Sequence, residues 1–162
     1  MKSKQTTDPH QLVTAQDTHQ FVLAGNAVFT LRSKRTGTRY TYKVVQAKDP
    51  SNDSLPDKWY VRVLTGPDWY EYLGTLKGSP PTFRLAATSR ITADAPSVKA
   101  FYWFWTQVLR ERMHPELEVW HEGRCGRCGR RLTVPSSIAN GIGPECQQAI
   151  MQGNLLMQVE GL

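Results

Sequence analysis

The stretch AVFTLRSKRTGTRYTYKVV, Ala27 to Val45, carries the pattern that decides the fold. Apolar and polar residues alternate from Ala27 to Arg32 and again from Arg39 to Val45. Between them, Ser33-Lys34-Arg35-Thr36-Gly37 has turn chemistry. A period of two with β-branched and aromatic residues predicts a β-hairpin with one buried face. The same alternation recurs downstream in Trp59–Leu64, Tyr70–Leu76 and Phe83–Ala87. A Pro/Ser/Asn/Asp-rich loop from Asp49 to Asp57, then turns at Thr65–Asp68 and Lys77–Pro81, separate these segments. Short successive connections imply an antiparallel meander.

Upstream, Thr18 to Ala24 reads as a short helix stopped by Gly25-Asn26. Residues 1–17 are polar and aperiodic, which predicts a flexible arm. His10 and His19 are isolated and read as surface residues. Downstream, Asp94 is placed to cap a helix from about Pro96 to Met113. Val98, Phe101, Trp105, Val108 and Leu109 share one of its faces and would cover the meander. Trp103 lies off that stripe and is assigned to packing at the junction with the C-terminal segment.

The remaining motif is HEGRCGRCGRRLTVPSSIANGIGPEC, His121 to Cys146, which holds all three cysteines. Cys125-x-x-Cys128 can present two thiolates from one tight turn, and Gly126 and Gly129 let the backbone fold around it. Arg131–Val134 has strand character, Pro135-Ser136-Ser137 turn character, and Pro144 suits the first turn of a helix that carries Cys146. That layout is treble-clef-like and predicts one structural Zn2+. Tetrahedral zinc needs a fourth ligand, and His121 is preferred to His114, giving a closed set of His121, Cys125, Cys128 and Cys146. A redox reading of the cysteine pair would want a βαβ context, which is missing.

The fold class expected is therefore α+β: an antiparallel β-meander packed by one long helix, then a small treble-clef-like zinc finger. The expected division is a flexible arm at 1–17, a meander-plus-helix domain at 18–116 and a finger module at 117–162. An odd cysteine count argues against a disulfide framework. No apolar run approaches the roughly 18 residues of a membrane span, and no signal peptide follows Met1, so a bacterial-type cytoplasm is the expected location.

Across 162 residues the net charge is +6, which favours an anionic partner, nucleic acid being the obvious one. Two basic features suit phosphate contact. The hairpin offers Lys34, Arg35, Arg39 and Lys43, with Tyr40 and Tyr42 interleaved for stacking. The finger offers Arg124, Arg127, Arg130 and Arg131. Neither resembles a sequence-reading helix, so backbone or structure recognition is expected, on DNA or RNA. No Ser/His/Asp or Cys/His arrangement is legible, and Asp68 and Glu71 read as turn residues, so no enzyme activity is expected.

Taken together, Phe21–Ala27, Thr36–Lys43 and the finger elements Cys125/Cys128, Leu132–Ser137 and Gly141–Cys146 resemble a family of small phage and prophage proteins. That resemblance spans most of the chain from Thr18. It implies a phage or mobile-element origin and a zinc-binding module, and it brings no activity with it. The function expected is a zinc-stabilised nucleic-acid-binding accessory protein. The alternative is a protein-binding module that inhibits or recruits a host enzyme or defence complex.

Overall fold

A computed structural model describes residues 10–48 and 57–160 of the chain. In order the elements are β1 (Gln11–Leu12), α1 (Ala15–Val22), β2 (Asn26–Ser33), β3 (Arg39–Gln46), β4 (Lys58–Leu64) and β5 (Tyr70–Gly78). They continue with β6 (Pro81–Leu85), α2 (Pro96–Leu109), β7 (Leu117–His121), α3 (Pro135–Asn140) and α4 (Pro144–Glu160). The class is α+β, an antiparallel sheet followed by a C-terminal cysteine cluster. Most of the predicted arm and the loop at 49–56 lie outside the described residues.

The predicted meander runs β2 to β6, and the sheet has seven strands in the order β1-β7-β2-β3-β4-β5-β6. Alternation along β2 buries Ala27, Phe29 and Leu31, and along β4 it buries Trp59, Val61 and Val63. Both α1 and α2 lie on that face. Phe21 meets Phe29, and Phe101 and Phe104 meet Tyr42 and Phe29. Helix α2 forms because Val98, Phe101, Phe104, Trp105 and Val108 recur at helical spacing, and all five are buried. Full burial of each such side chain contributes about 1.5–3 kcal/mol. Polar atoms carried into this core are satisfied: Tyr42 Oη donates to the Ser97 carbonyl (2.6 Å), and Trp105 Nε1 donates to the Pro81 carbonyl (2.8 Å).

Several local expectations need correcting. Asp94 does not cap α2: its carboxylate accepts from the Thr92 hydroxyl, Ala95 occupies the cap position, and the helix ends at Leu109. His19 is half-buried rather than isolated on the surface. It stacks on Trp105 at 5.5 Å, and burial lowers its pKa below the ordinary imidazole value. Trp103 takes the packing role expected of it, edge-on against His114 at 5.2 Å in the connection between α2 and β7.

The largest difference concerns where one part ends and the next begins. Leu117–His121, assigned by the sequence to the finger, is a sheet strand between β1 and β2. Its Glu118 is buried and pairs with Arg32 at 3.0 Å across to β2, while Trp120 Nε1 donates to the other carboxylate oxygen. Residues 11–12 of the expected arm pair with Trp120 and Val119 of the same strand. The sheet thus incorporates segments from both sides of the expected boundaries.

Candidate metal centre

Beyond β7 the chain turns at Gly123 and enters the cysteine knuckle. The Cys125 N–H donates to the Arg130 carbonyl (2.8 Å) and the Gly129 N–H returns to the Cys125 carbonyl (2.9 Å), closing a tight loop. Gly129 makes this possible with φ +78°, a left-handed angle that a side chain resists. Arg124 bridges to Arg131, which is all that remains of the predicted strand at Arg131–Val134. The predicted turn at Pro135-Ser136-Ser137 opens helix α3 instead, with Pro135 in its first turn. Helix α4 begins at Pro144, as its sequence suggests, and carries Cys146 in its first turn.

Cys125, Cys128 and Cys146 converge, their three sulfur atoms all within 4.8 Å of one another. Tetrahedral zinc with bonds of about 2.3 Å would set its sulfurs about 3.8 Å apart, so the cluster is close to a metal-binding spacing. Cys125 and Cys146 are buried and Cys128 is exposed. Burial opposes ionisation of Cys125. The N–H groups of Gly143 (3.3 Å) and Arg127 (3.4 Å) donate to its sulfur and hold its pKa below the ordinary thiol value. Cys146 shifts the other way: burial raises its pKa, and the neighbouring thiols add to the rise. Amides aimed at a buried sulfur favour the thiolate, the form that binds a metal. This group of three cysteines could hold a metal ion.

His121 does not join it, which overturns the closed set of three cysteines and one histidine. Its side-chain direction is fixed by its place at the end of β7, where it points into the core beside Phe21 at 5.7 Å. Nδ1 accepts from the Gly123 N–H (2.9 Å), and Nε2 meets the Ile138 carbonyl. His114 is no substitute, since its Nδ1 accepts from the Glu116 N–H and its ring faces Trp103. His121→Ala should therefore leave about one metal per folded chain while lowering stability. Each buried backbone group left without a partner costs about 1–3 kcal/mol. Parallel metal analysis and denaturant unfolding check this, and metal loss without destabilisation would restore the ligand role.

The finger is bolted to the sheet through Phe21. A Cβ added at Gly126 would stand 2.7 Å from Phe21 Cδ2, and one at Gly141 2.5 Å from the same atom. Phe21 thus wedges between the knuckle and the end of α3, while the Asn26 N–H at the start of β2 donates to the Gly126 carbonyl (2.6 Å). Ile142, Leu132 and Ile138 form a small apolar cluster behind the thiols.

Arg124, Arg127, Arg130 and Arg131 are all exposed. Arg127, Arg130 and Arg131 line one cleft with the three cysteines, together with Glu145. Lys34, Arg35 and Arg39 are exposed at the far end of the β2–β3 hairpin. The eight-residue β2 separates them from the finger by about 24 Å at about 3.4 Å per residue. Those three cations are not one patch with the finger arginines, whereas Lys43, at the other end of the hairpin, lines a hollow with Arg124.

The hairpin's mixture of cations and tyrosines also divides. Tyr42 is wholly buried, and burial, with Tyr40 beside it, pushes its pKa far above the ordinary phenol value. Tyr40 shares that face and packs against the core, beside a hollow lined by Arg35, Trp103 and His114. Arg39 and Lys43 alternate with them and lie on the other face of the sheet. The aromatic neighbour of Lys43 is Tyr70 of β5, 5.8 Å from its Nζ to the ring centre, a contact sequence reasoning missed.

Among the described residues, no helix is long and apolar enough to cross a membrane. No curated protein and no solved structure matches the chain. Residues 116–149, which run from just before β7 into α4 and contain the whole cysteine cluster, match the model of a family of unknown function, DUF6011.

Proposed function

We propose that this is a zinc-stabilised nucleic-acid-binding accessory protein of phage or mobile-element type, acting in a bacterial cytoplasm and without catalysis of its own. Three thiolates are a soft donor set suited to Zn2+. Bound there, the ion would be held by Cys125, Cys128 and Cys146 and would cross-link the knuckle to the start of α4. Its contribution is to folding: it holds the surrounding arginines in fixed positions.

The observation that carries the nucleic-acid reading is the arginine rim on that cleft. Arg127, Arg130 and Arg131 stand around the thiols, against the single carboxylate of Glu145. Fixed guanidinium groups beside a metal-stapled turn suit phosphate oxygens, which they can grip in bidentate fashion. The finger's resemblance to small phage and prophage proteins supports only the phage or mobile-element origin.

Binding to single-stranded DNA, duplex DNA and RNA across a salt series tests this. Micromolar or tighter binding is expected at low salt, with the logarithm of affinity falling linearly against the logarithm of salt concentration. Changing Arg124, Arg127, Arg130 and Arg131 together to Ala should weaken it at least tenfold while metal content stays at about one per chain. No binding by the wild type at low salt would retire this reading in favour of a protein partner.

A further inference from the structure

The face of the sheet opposite α1 and α2 carries no described helix, and its chemistry is unusually one-sided. Directly opposed residues on neighbouring strands share a face. The pairs Lys58–Lys77, Thr75–Arg84 and Lys77–Thr82 therefore gather three cations and two threonines on β4, β5 and β6. Those five side chains line one open hollow with no carboxylate among them. Like charges directly opposite one another destabilise a sheet, and none of the five residues lining the hollow is acidic to relieve them. An anion seated among them would.

Next to this hollow lie the aromatic residues. Tyr60 pairs with Thr75 and Tyr72 with Arg62, so both tyrosines share the cationic face. Their rings meet edge to face at 6.2 Å and are partly exposed, and the Lys58 ammonium lies 5.3 Å from the Tyr60 ring centre. Lys43 is opposite Arg62 on β3. It also lines a hollow with Val28, Glu122 and the finger's Arg124, which brings the sheet face up to the knuckle. Glu71, the one carboxylate in β3 to β6, pairs opposite buried Val63 and so belongs to the other face.

We propose that this open face binds single-stranded nucleic acid, with bases stacked on Tyr60 and Tyr72 and phosphates held by Lys58, Lys77, Arg84, Arg62 and Lys43. The inference rests on the nucleic-acid reading above and adds to the finger's arginine rim a second contact surface on the sheet. Charge complementarity selects a polyanion. Partly exposed rings in mid-sheet select one whose bases have free faces, which a duplex hides within its stack. From β3 to β6 is three inter-strand steps, about 14 Å, wide enough for a few nucleotides laid across the strands. The same chemistry accepts DNA or RNA.

The test uses the full-length protein with fluorescent oligo(dT) and oligo(rU) of about 12 nucleotides and a DNA duplex of equal length. One variant combines Lys58→Gln, Lys77→Gln and Arg84→Gln; another combines Tyr60→Leu and Tyr72→Leu. All five sites are at the surface, and thermal melts and metal content confirm that each variant is folded. Single strands should bind at least tenfold more tightly than duplex. The Gln variant should lose at least tenfold in affinity, and its salt slope should fall by about 2, at about 0.7 per lost phosphate contact. The Leu variant should lose at least tenfold with an unchanged slope, a split that general destabilisation would not produce. Wild-type binding in both sheet variants, alongside loss in the finger arginine variant, overturns this inference and leaves the nucleic-acid reading standing. Preference for duplex also overturns it, and a wild type that binds no oligonucleotide overturns both.

Discussion

Replacing Cys125 with Ser should strip the chain of its metal and melt the segment from Gly123 to the start of α4. Of the three thiols, Cys125 is the one whose sulfur receives both the Gly143 and the Arg127 amides, so its loss removes the best-prepared thiolate and the anchor of the loop. Structural zinc contributes about 10–16 kcal/mol of apparent binding free energy in finger peptides at neutral pH. Losing one of three thiolates should therefore lower affinity by several orders of magnitude. Metal analysis after dialysis should fall from about one ion per chain to none, with amide exchange accelerated through 123–146. A Ser variant that retains equimolar metal, or a metal-free wild type with unchanged folding, would refute the centre.

Phe21→Ala should be almost as damaging. The ring is wholly buried and reaches Phe29 in the sheet and His121 at the end of β7, besides the two glycines of the finger. Removing a buried Phe of this kind costs about 3–5 kcal/mol, because the walls that touch it cannot all collapse into the gap. Two of those walls belong to the knuckle and to α3, so the variant should also release metal to a chelator faster than wild type. Denaturant unfolding and a chelator-competition time course measure the two effects separately. A destabilisation below about 1 kcal/mol, or an unchanged release rate, would mean that sheet and finger are held together by something else.

What could be read without coordinates follows from where the physics is local. Strands β2 to β6 were legible because their alternation is strict and their turns short, both properties of neighbouring residues. The thiol cluster was legible because C-x-x-C spacing leaves two sulfurs little freedom. Leu117–His121 was not, since a strand containing Glu118 and following Pro115 reads as a connection until Arg32 is seen opposite it. His121 was misread for the same reason. Nearness to Cys125 in sequence suggested a ligand, but strand geometry decides which way its ring points. Phe104, missed on α2, and Tyr42, offered as a stacking residue, are errors of phase on an otherwise correct element. The aromatic and basic sheet face was present as Tyr60-x-Arg62 and Tyr70-x-Tyr72, but only the inter-strand register brings those residues to one surface.

The position of β7 also sets a timetable for the molecule. Among the described residues β1 pairs only with β7, and the Arg32–Glu118 pair spans 86 residues of chain. On a ribosome, the strands from β2 to β6 emerge with one edge of β2 bare, and β1 waits unpaired until residue 121 is out. Long-range strand closure of this kind is slow, and an uncovered edge invites pairing with other chains. The metal-binding segment follows directly behind β7. Convergence of the three thiols and closure of the sheet thus fall close together in time, and the emerging chain is most open to aggregation just before them.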